Sequence, residues 1–414
     1  MIQGHAEEAF RPVADALARI LRGGGGAAVC VYHRGRKVVD LWGGTRDEAG
    51  HAWEEDTMAM SFSTSKGVVS TLVHHLADRG LLAFDDPVAR HWPEFAQAGK
   101  ARITVGDVLT HRAGLWDIRS LIDDGIRILD WDHMVRALAA ARPRFVPGGG
   151  SAYHALTYGW LAGEIVQRVA KRPLPDVIRT ELSEPLGLDG LFIGAPAEAR
   201  ARAAQLRRPV RPRLPRIPRE AIAWGANAWL DAASGVARAL RSPFDPARAR
   251  DALMVPGRPG LLFEARALDV PIPAANGLFT ARSLARVYAA ISTGGTLDGV
   301  RILSPRAVLR LSEVRHRGAD GVLLVPMHWR LGYHGAYSSR GRIATAFGHF
   351  GYGGSGAFAD PARELAVAMV NNTAGGSPFG DARISAVADA ALRGAQRTRG
   401  HRGQPRADAA FHAA

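Results

Sequence analysis

Between Ala6 and Arg22 the apolar residues Phe10, Val13, Leu17, Ile20 and Leu21 recur at helical spacing on one stripe, and the glycines at 23 to 26 end the run. An amphipathic helix is therefore expected to open the chain. Ala27 to His33 and Lys37 to Trp42 are short, apolar and partly β-branched, and they are joined through Arg34-Gly35-Arg36, a pattern that predicts an antiparallel hairpin. From Ser63 to Ile291 strand signals fade. Helical periodicity takes over across Lys66 to Asp78, closed by Gly80, and across Thr104 to Thr110, His133 to Ala141, Leu156 to Val169 and Leu284 to Ile291. Thr104 with Asp107 three residues on reads as a capping box. Strand patterns return in Arg342 to Phe347, Gly356 to Ala359 and Glu364 to Val370, before a last helix over Asp381 to Arg393.

Strands at both ends with helices between predict an α+β fold whose termini meet in one antiparallel sheet flanked by the terminal helices. On this reading residues 1–62 and 325–397 build the sheet domain and residues 63–324 form a large, mostly helical insertion, with the active site at their junction. No internal repeat is visible. The Arg/Pro-rich stretch near 205–220 is read as a surface loop and residues 398–414 as a disordered tail.

Composition narrows the class without changing this outline. A chain of 414 residues that is 47% hydrophobic can bury one large core or two smaller ones. No apolar run reaches the length of a membrane span, and Met1 to Glu8 has neither a basic start nor an apolar stretch. The lone Cys30 cannot form an internal disulfide and reads as a small core residue, so a cytoplasmic location is expected. The net charge of +14 is carried almost wholly by arginine, with six Arg and four Pro between Arg207 and Arg219 and a further group near the end. Neither stretch interleaves aromatic residues for base stacking, so no nucleic-acid partner is expected.

The chemistry begins at Ser63-Thr64-Ser65-Lys66. The chain has four lysines, at 37, 66, 100 and 171, and only Lys66 has a serine three positions earlier, at the start of an apolar helical run. At that spacing the two side chains share one helix face and can exchange a proton. A serine hydroxyl needs a base within reach and donors for the oxyanion it creates. Two more stretches can complete such a site. Tyr153 lies between a Pro147-Gly148-Gly149-Gly150 turn and a helix, and His349-Phe350-Gly351-Tyr352-Gly353-Gly354 is a glycine-laden strand edge that a substrate can approach closely. Other catalytic signatures are missing: Gly353-Gly354-Ser355-Gly356-Ala357 breaks the Gly-x-Ser-x-Gly elbow, no His-Glu-x-x-His occurs, and no Walker loop is present. No metal or cofactor is expected.

With these motifs in this order, together with Ile103 to Leu115, Asn276 to Ala281 and Gly294 to Gly299, the chain resembles the serine β-lactamase and penicillin-binding-protein superfamily over residues 10–395. Its nearest likeness is to the family VIII carboxylesterases, which are similar to class C β-lactamases. The resemblance implies a β-lactamase-like fold, Ser63 as the acylated nucleophile, Lys66 as charge partner or base, and Tyr153 as a proton carrier. It further implies an oxyanion hole from the Ser63 and Tyr352 backbone N–H groups, and substrate contacts at His349, Gly351 and Asn276. Which of Lys66 and Tyr153 takes the first proton is left open.

Class C β-lactamases carry Lys and usually Thr where this chain has His349 and Phe350. A largely neutral histidine holds a drug carboxylate less firmly than a fixed ammonium. The expected substrate is therefore a small ester or amide, with short-chain carboxylic esters foremost. The alternatives are a β-lactam or D-amino-acid peptide on the same fold, or a non-catalytic scaffold.

Overall fold

The computed structural model describes residues 1–207, 245–258, 260–377 and 380–400. The Arg/Pro-rich stretch beyond Arg207, and the tail from His401 onward, lie outside these residues.

The chain begins with a strand, β1 (Ile2–Ala6), followed by helix α1 (Arg11–Leu21), which starts with Pro12 in its first turn. The expected helix start at Ala6 is thus displaced. Proline is at home in a first turn, and β1 is made by backbone pairing with a neighbouring strand rather than by apolar alternation, so the sequence hides it. The predicted hairpin forms as β2 (Gly26–His33) and β3 (Arg36–Gly44).

Three two-residue strands, β4 (Ala59–Met60), β5 (Leu191–Phe192) and β6 (Leu278–Phe279), make a small second sheet, the last two within the stretch read as mainly helical. Segments of that length carry no readable period. β7 (Thr296–Leu297) and β8 (Val300–Arg301) pair as a further short hairpin. The C-terminal strands are β9 (His334–Ser338), β10 (Gly341–Phe350), β11 (Gly356–Asp360) and β12 (Leu365–Asn371). The last helix runs Ala382–Gly400, past the expected end at Arg393.

The large sheet is antiparallel and seven-stranded, in the order β1-β3-β2-β12-β11-β10-β9. Both chain ends therefore meet at its centre, where β2 lies beside β12 with Val31 opposite Val367 and Cys30 opposite Ala368. The continuous apolar runs of these two strands have a simple cause: both faces of the sheet are covered. Ala27, Val29, Val31, Leu365, Val367 and Met369 join the core formed with α1 and the last helix. Ala28, Cys30, Tyr32, Ala366, Ala368 and Val370 face the other way, into the core that also holds the helices Ala281–Ser292 and α2 (Thr64–Asp78). The helices Trp131–Ala140 and Thr157–Ala170 extend that second core away from the sheet. No helix among the described residues is long and apolar enough to cross a membrane.

The capping box forms as read: Thr104 Oγ1 accepts from Asp107 N at 3.0 Å while Asp107 Oδ2 accepts from Thr104 N at 3.1 Å. It anchors the short helix Val105–Leu109, after which the chain reaches His111.

Candidate active site

Ser63 is the N-cap of α2 and sits partly exposed at the mouth of the helix. The residue before it, Phe62, has a φ of 46°, a left-handed conformation that a bulky side chain adopts only when its surroundings enforce it. The enforcing contacts are explicit. Phe62 bridges Asn276, its carbonyl accepts from Ser65 N at 3.0 Å and from Ser65 Oγ at 2.5 Å, and its ring meets Tyr352 edge-on at 5.4 Å. The sharp turn lifts the Ser63 side chain out of the helix towards its partners.

Those partners are Lys66 and Tyr153. Lys66 Nζ lies 2.9 Å from Ser63 Oγ, and the Tyr153 hydroxyl donates to the same oxygen at 2.7 Å. Side chains quoted from two separate stretches of sequence thus meet at one oxygen. Lys66 is fully buried, and its Nζ also donates to the carbonyls of Ala155 (2.7 Å) and Ala274 (2.9 Å). Burial alone holds its pKa well below the usual lysine value. A neutral amine has two N–H bonds, and two carbonyls here can take both, which leaves its lone pair for the Ser63 proton. Burial also pushes the Tyr153 phenol up, so it stays protonated.

His349, at the end of β10, is buried, and its Nδ1 lies 3.3 Å from the Phe350 carbonyl. Its Nε2 is buried with no partner among the described residues. Desolvation, then His334 and Lys66, hold its pKa well below the usual histidine value, so the ring is neutral. His334 approaches it at 4.8 Å between centroids and is held by two bonds, Nδ1 to the Gly335 carbonyl (2.8 Å) and Nε2 accepting from Phe350 N (3.0 Å).

Gly351 follows, and a Cβ there would stand 2.3 Å from the Ser61 carbonyl oxygen. Only glycine lets this strand end lie against the nucleophile turn. Gly351→Ala is expected to cost about 1–3 kcal/mol in a urea melt and to lower kcat as well, because the turn beneath Ser63 must shift. Neither the Ser63 nor the Tyr352 N–H donates to another group among the described residues, so both remain available to an incoming oxygen.

Asn276 lies beside the nucleophile turn. Its backbone pairs with Phe62, but its side chain turns into its own loop: Nδ2 donates to Ala267 O and Val270 O, each at 2.6 Å, and Oδ1 accepts from Ile272 N at 2.9 Å. With both donors used, the amide shapes its own loop. His111 makes a structural hydrogen bond, its Nδ1 accepting from His154 N at 3.1 Å. No sequence signal points to His334, Asp320 or Trp329, which surround these groups. They lie in a region without clear periodicity, and only a pairing map could have brought them here.

Fold and site together define a hydrolase with the β-lactamase-like architecture. The chain belongs to the beta-lactamase family, whose model matches residues 13–392. It is 42% identical over 378 residues to the Esterase/beta-lactamase LipL of Mycobacterium tuberculosis, covering 89% of this chain and 82% of that protein. Among solved structures it is similar to a penicillin-binding-protein homologue from Caulobacter crescentus, with 36% identity, a TM-score of 0.81, and coverage of 95% of this chain and 100% of the other. A family VIII carboxylesterase matches at 31% identity with a TM-score of 0.82, again covering 95% and 100%.

Proposed function

We propose that the protein is a carboxylic ester hydrolase acting through an acyl-enzyme on Ser63. Ser63 Oγ attacks the ester carbonyl carbon and its proton passes to the neutral Lys66 amine, while the carbonyl electron pair moves onto oxygen between the Ser63 and Tyr352 N–H groups. Collapse of this intermediate breaks the bond to the alcohol oxygen, which takes the Tyr153 proton and leaves as the alcohol. Lys66 returns a proton to Tyr153. Water then adds to the acyl-enzyme, giving one proton to Lys66 as it attacks, and collapse breaks the bond to Ser63 Oγ, which takes that proton back from Lys66 as the carboxylic acid departs. The sum is ester plus water to acid plus alcohol.

The observation that carries this reading is the convergence of the Lys66 amine and the Tyr153 hydroxyl on Ser63 Oγ, at 2.9 and 2.7 Å. The preference for esters over β-lactams rests on His349, a neutral ring where a drug carboxylate would need a cation. LipL is named both an esterase and a β-lactamase, and a family VIII carboxylesterase shares the fold, so both substrates belong in the test. A panel of p-nitrophenyl esters from acetate to decanoate, assayed beside nitrocefin, is expected to show a kcat/KM for the short esters at least about 100-fold above that for nitrocefin, a gap of about 2.7 kcal/mol in transition-state stabilisation. Faster turnover of nitrocefin than of every ester would overturn the ester assignment.

A further inference from the structure

Asp320 lies on the chain between the helix Pro305–Ser312 and β9, 167 residues from Tyr153 in sequence, and only 1% of its surface is exposed. A carboxylate buried this deeply needs partners, and it has four N–H donors. Oδ1 accepts from Tyr153 N at 2.9 Å, from Val322 N at 2.9 Å and from Leu323 N at 3.1 Å. Oδ2 accepts from the indole Nε1 of Trp329 at 3.1 Å. The bonds to Val322 and Leu323 shape the carboxylate's own loop. The other two reach the reacting tyrosine from two sides.

One of them fixes the Tyr153 backbone. The other fixes the indole on which the Tyr153 ring rests, for the two rings stack at 5.7 Å with an interplanar angle of 12°. A neighbouring backbone bond, Gly321 N to Ser151 O at 2.8 Å, clamps the loop to the segment that carries Tyr153. We propose that Asp320 is a positioning residue that aims the Tyr153 hydroxyl at Ser63, by anchoring both the backbone of that tyrosine and the tryptophan plate beneath its ring. The assignment rests on the acyl-enzyme reading given above. Its chemical sense is plain: a phenol that must meet one oxygen at 2.7 Å loses its use if the ring slides, and a misplacement of about 1 Å can cost about 100-fold in rate. The negative charge of Asp320 also adds to burial in keeping the phenol protonated.

Asp320→Asn tests this because it keeps the shape. Its remaining oxygen can still accept from the backbone, while its NH2 faces the Trp329 N–H, donor against donor. With p-nitrophenyl butyrate, Asp320→Asn is expected to lower kcat about 10- to 100-fold and to leave KM within about 2-fold. In a Tyr153→Phe background the same substitution is expected to have almost no further effect, since the hydroxyl it aims is gone. Trp329→Phe, which keeps a ring and drops the N–H, serves as a second variant should Asp320→Asn fold poorly, and it is expected to show the same dependence on Tyr153. Equal losses from Asp320→Asn with and without the tyrosine hydroxyl, or a wild-type kcat in that variant, would refute the assignment.

The rate of Ser63 labelling by a fluorophosphonate probe separates this idea from the ester reading. Slower labelling of Asp320→Asn than of wild type, in a protein whose wild type hydrolyses no ester, would sink the substrate assignment and uphold the role of Asp320. Unchanged labelling alongside normal wild-type ester turnover would do the reverse.

Discussion

Replacing Ser63 with alanine is expected to reduce kcat on a short p-nitrophenyl ester by at least about 1,000-fold, with the thermal melt of the protein within a few degrees of wild type. The side chain is partly exposed, and its hydroxyl holds no other element in place: its partners are the Lys66 amine and the Tyr153 hydroxyl. Lys66 keeps its two carbonyl bonds in the variant, so the pocket stays formed. What disappears is the only atom able to carry the acyl group in the proposed scheme. Wild-type turnover by Ser63→Ala would therefore remove the entire covalent mechanism, whatever else the site does. Mass spectrometry after a brief reaction with a slow ester should show the acyl adduct in wild type and none in the variant.

The second large effect concerns the base. Lys66→Met keeps most of the side-chain length and removes the amine, and it is expected to lower kcat by about 100- to 10,000-fold, the usual range for losing a positioned proton acceptor. The pH profile gives a sharper signature. A buried lysine with a depressed pKa is neutral and competent above that pKa, and becomes charged and incompetent as pH falls through it. Activity should thus decline towards acid, about tenfold for each pH unit once the amine is mostly protonated. The buried histidines nearby are pushed downward themselves, His154 and His334 to about 4, and His111 and His349 well below the usual value. Arginine at 66 should not rescue, because a guanidinium remains protonated throughout. Retention of more than a tenth of the wild-type kcat in Lys66→Met would exclude this lysine as the base.

Much of this candidate site is legible in the sequence, for reasons that differ by residue. Ser63 and Lys66 were visible because helical spacing ties them together locally and because lysine is so scarce in this chain. Tyr153, His349 and Gly351 stand out locally as a turn and a glycine-laden strand edge, but their roles came only through the resemblance, since nothing in their own neighbourhoods states that they meet. The central strands were readable because burial on both faces of the sheet writes a continuous apolar run into β2 and β12. β1 and β9 were not, for edge strands are held by backbone pairing and need no apolar pattern. Asn276 is a different case. A polar residue in a family motif suggested a hand held out to substrate, yet its amide is spent on three backbone groups of its own loop. Asp320 sits in a stretch with no period at all, and its importance comes wholly from long-range contacts.

The setting of Lys66 has one last consequence. Among the described residues no carboxylate pairs with its amine, and its pKa is depressed by enclosure alone. In a chain newly made, or opened locally to water, the same amine would regain the proton that lysine ordinarily carries at neutral pH. The reactivity proposed for Ser63 is thus a product of tertiary closure: it arises when the last walls come together, and wetting the pocket silences it before the rest of the molecule has lost its shape.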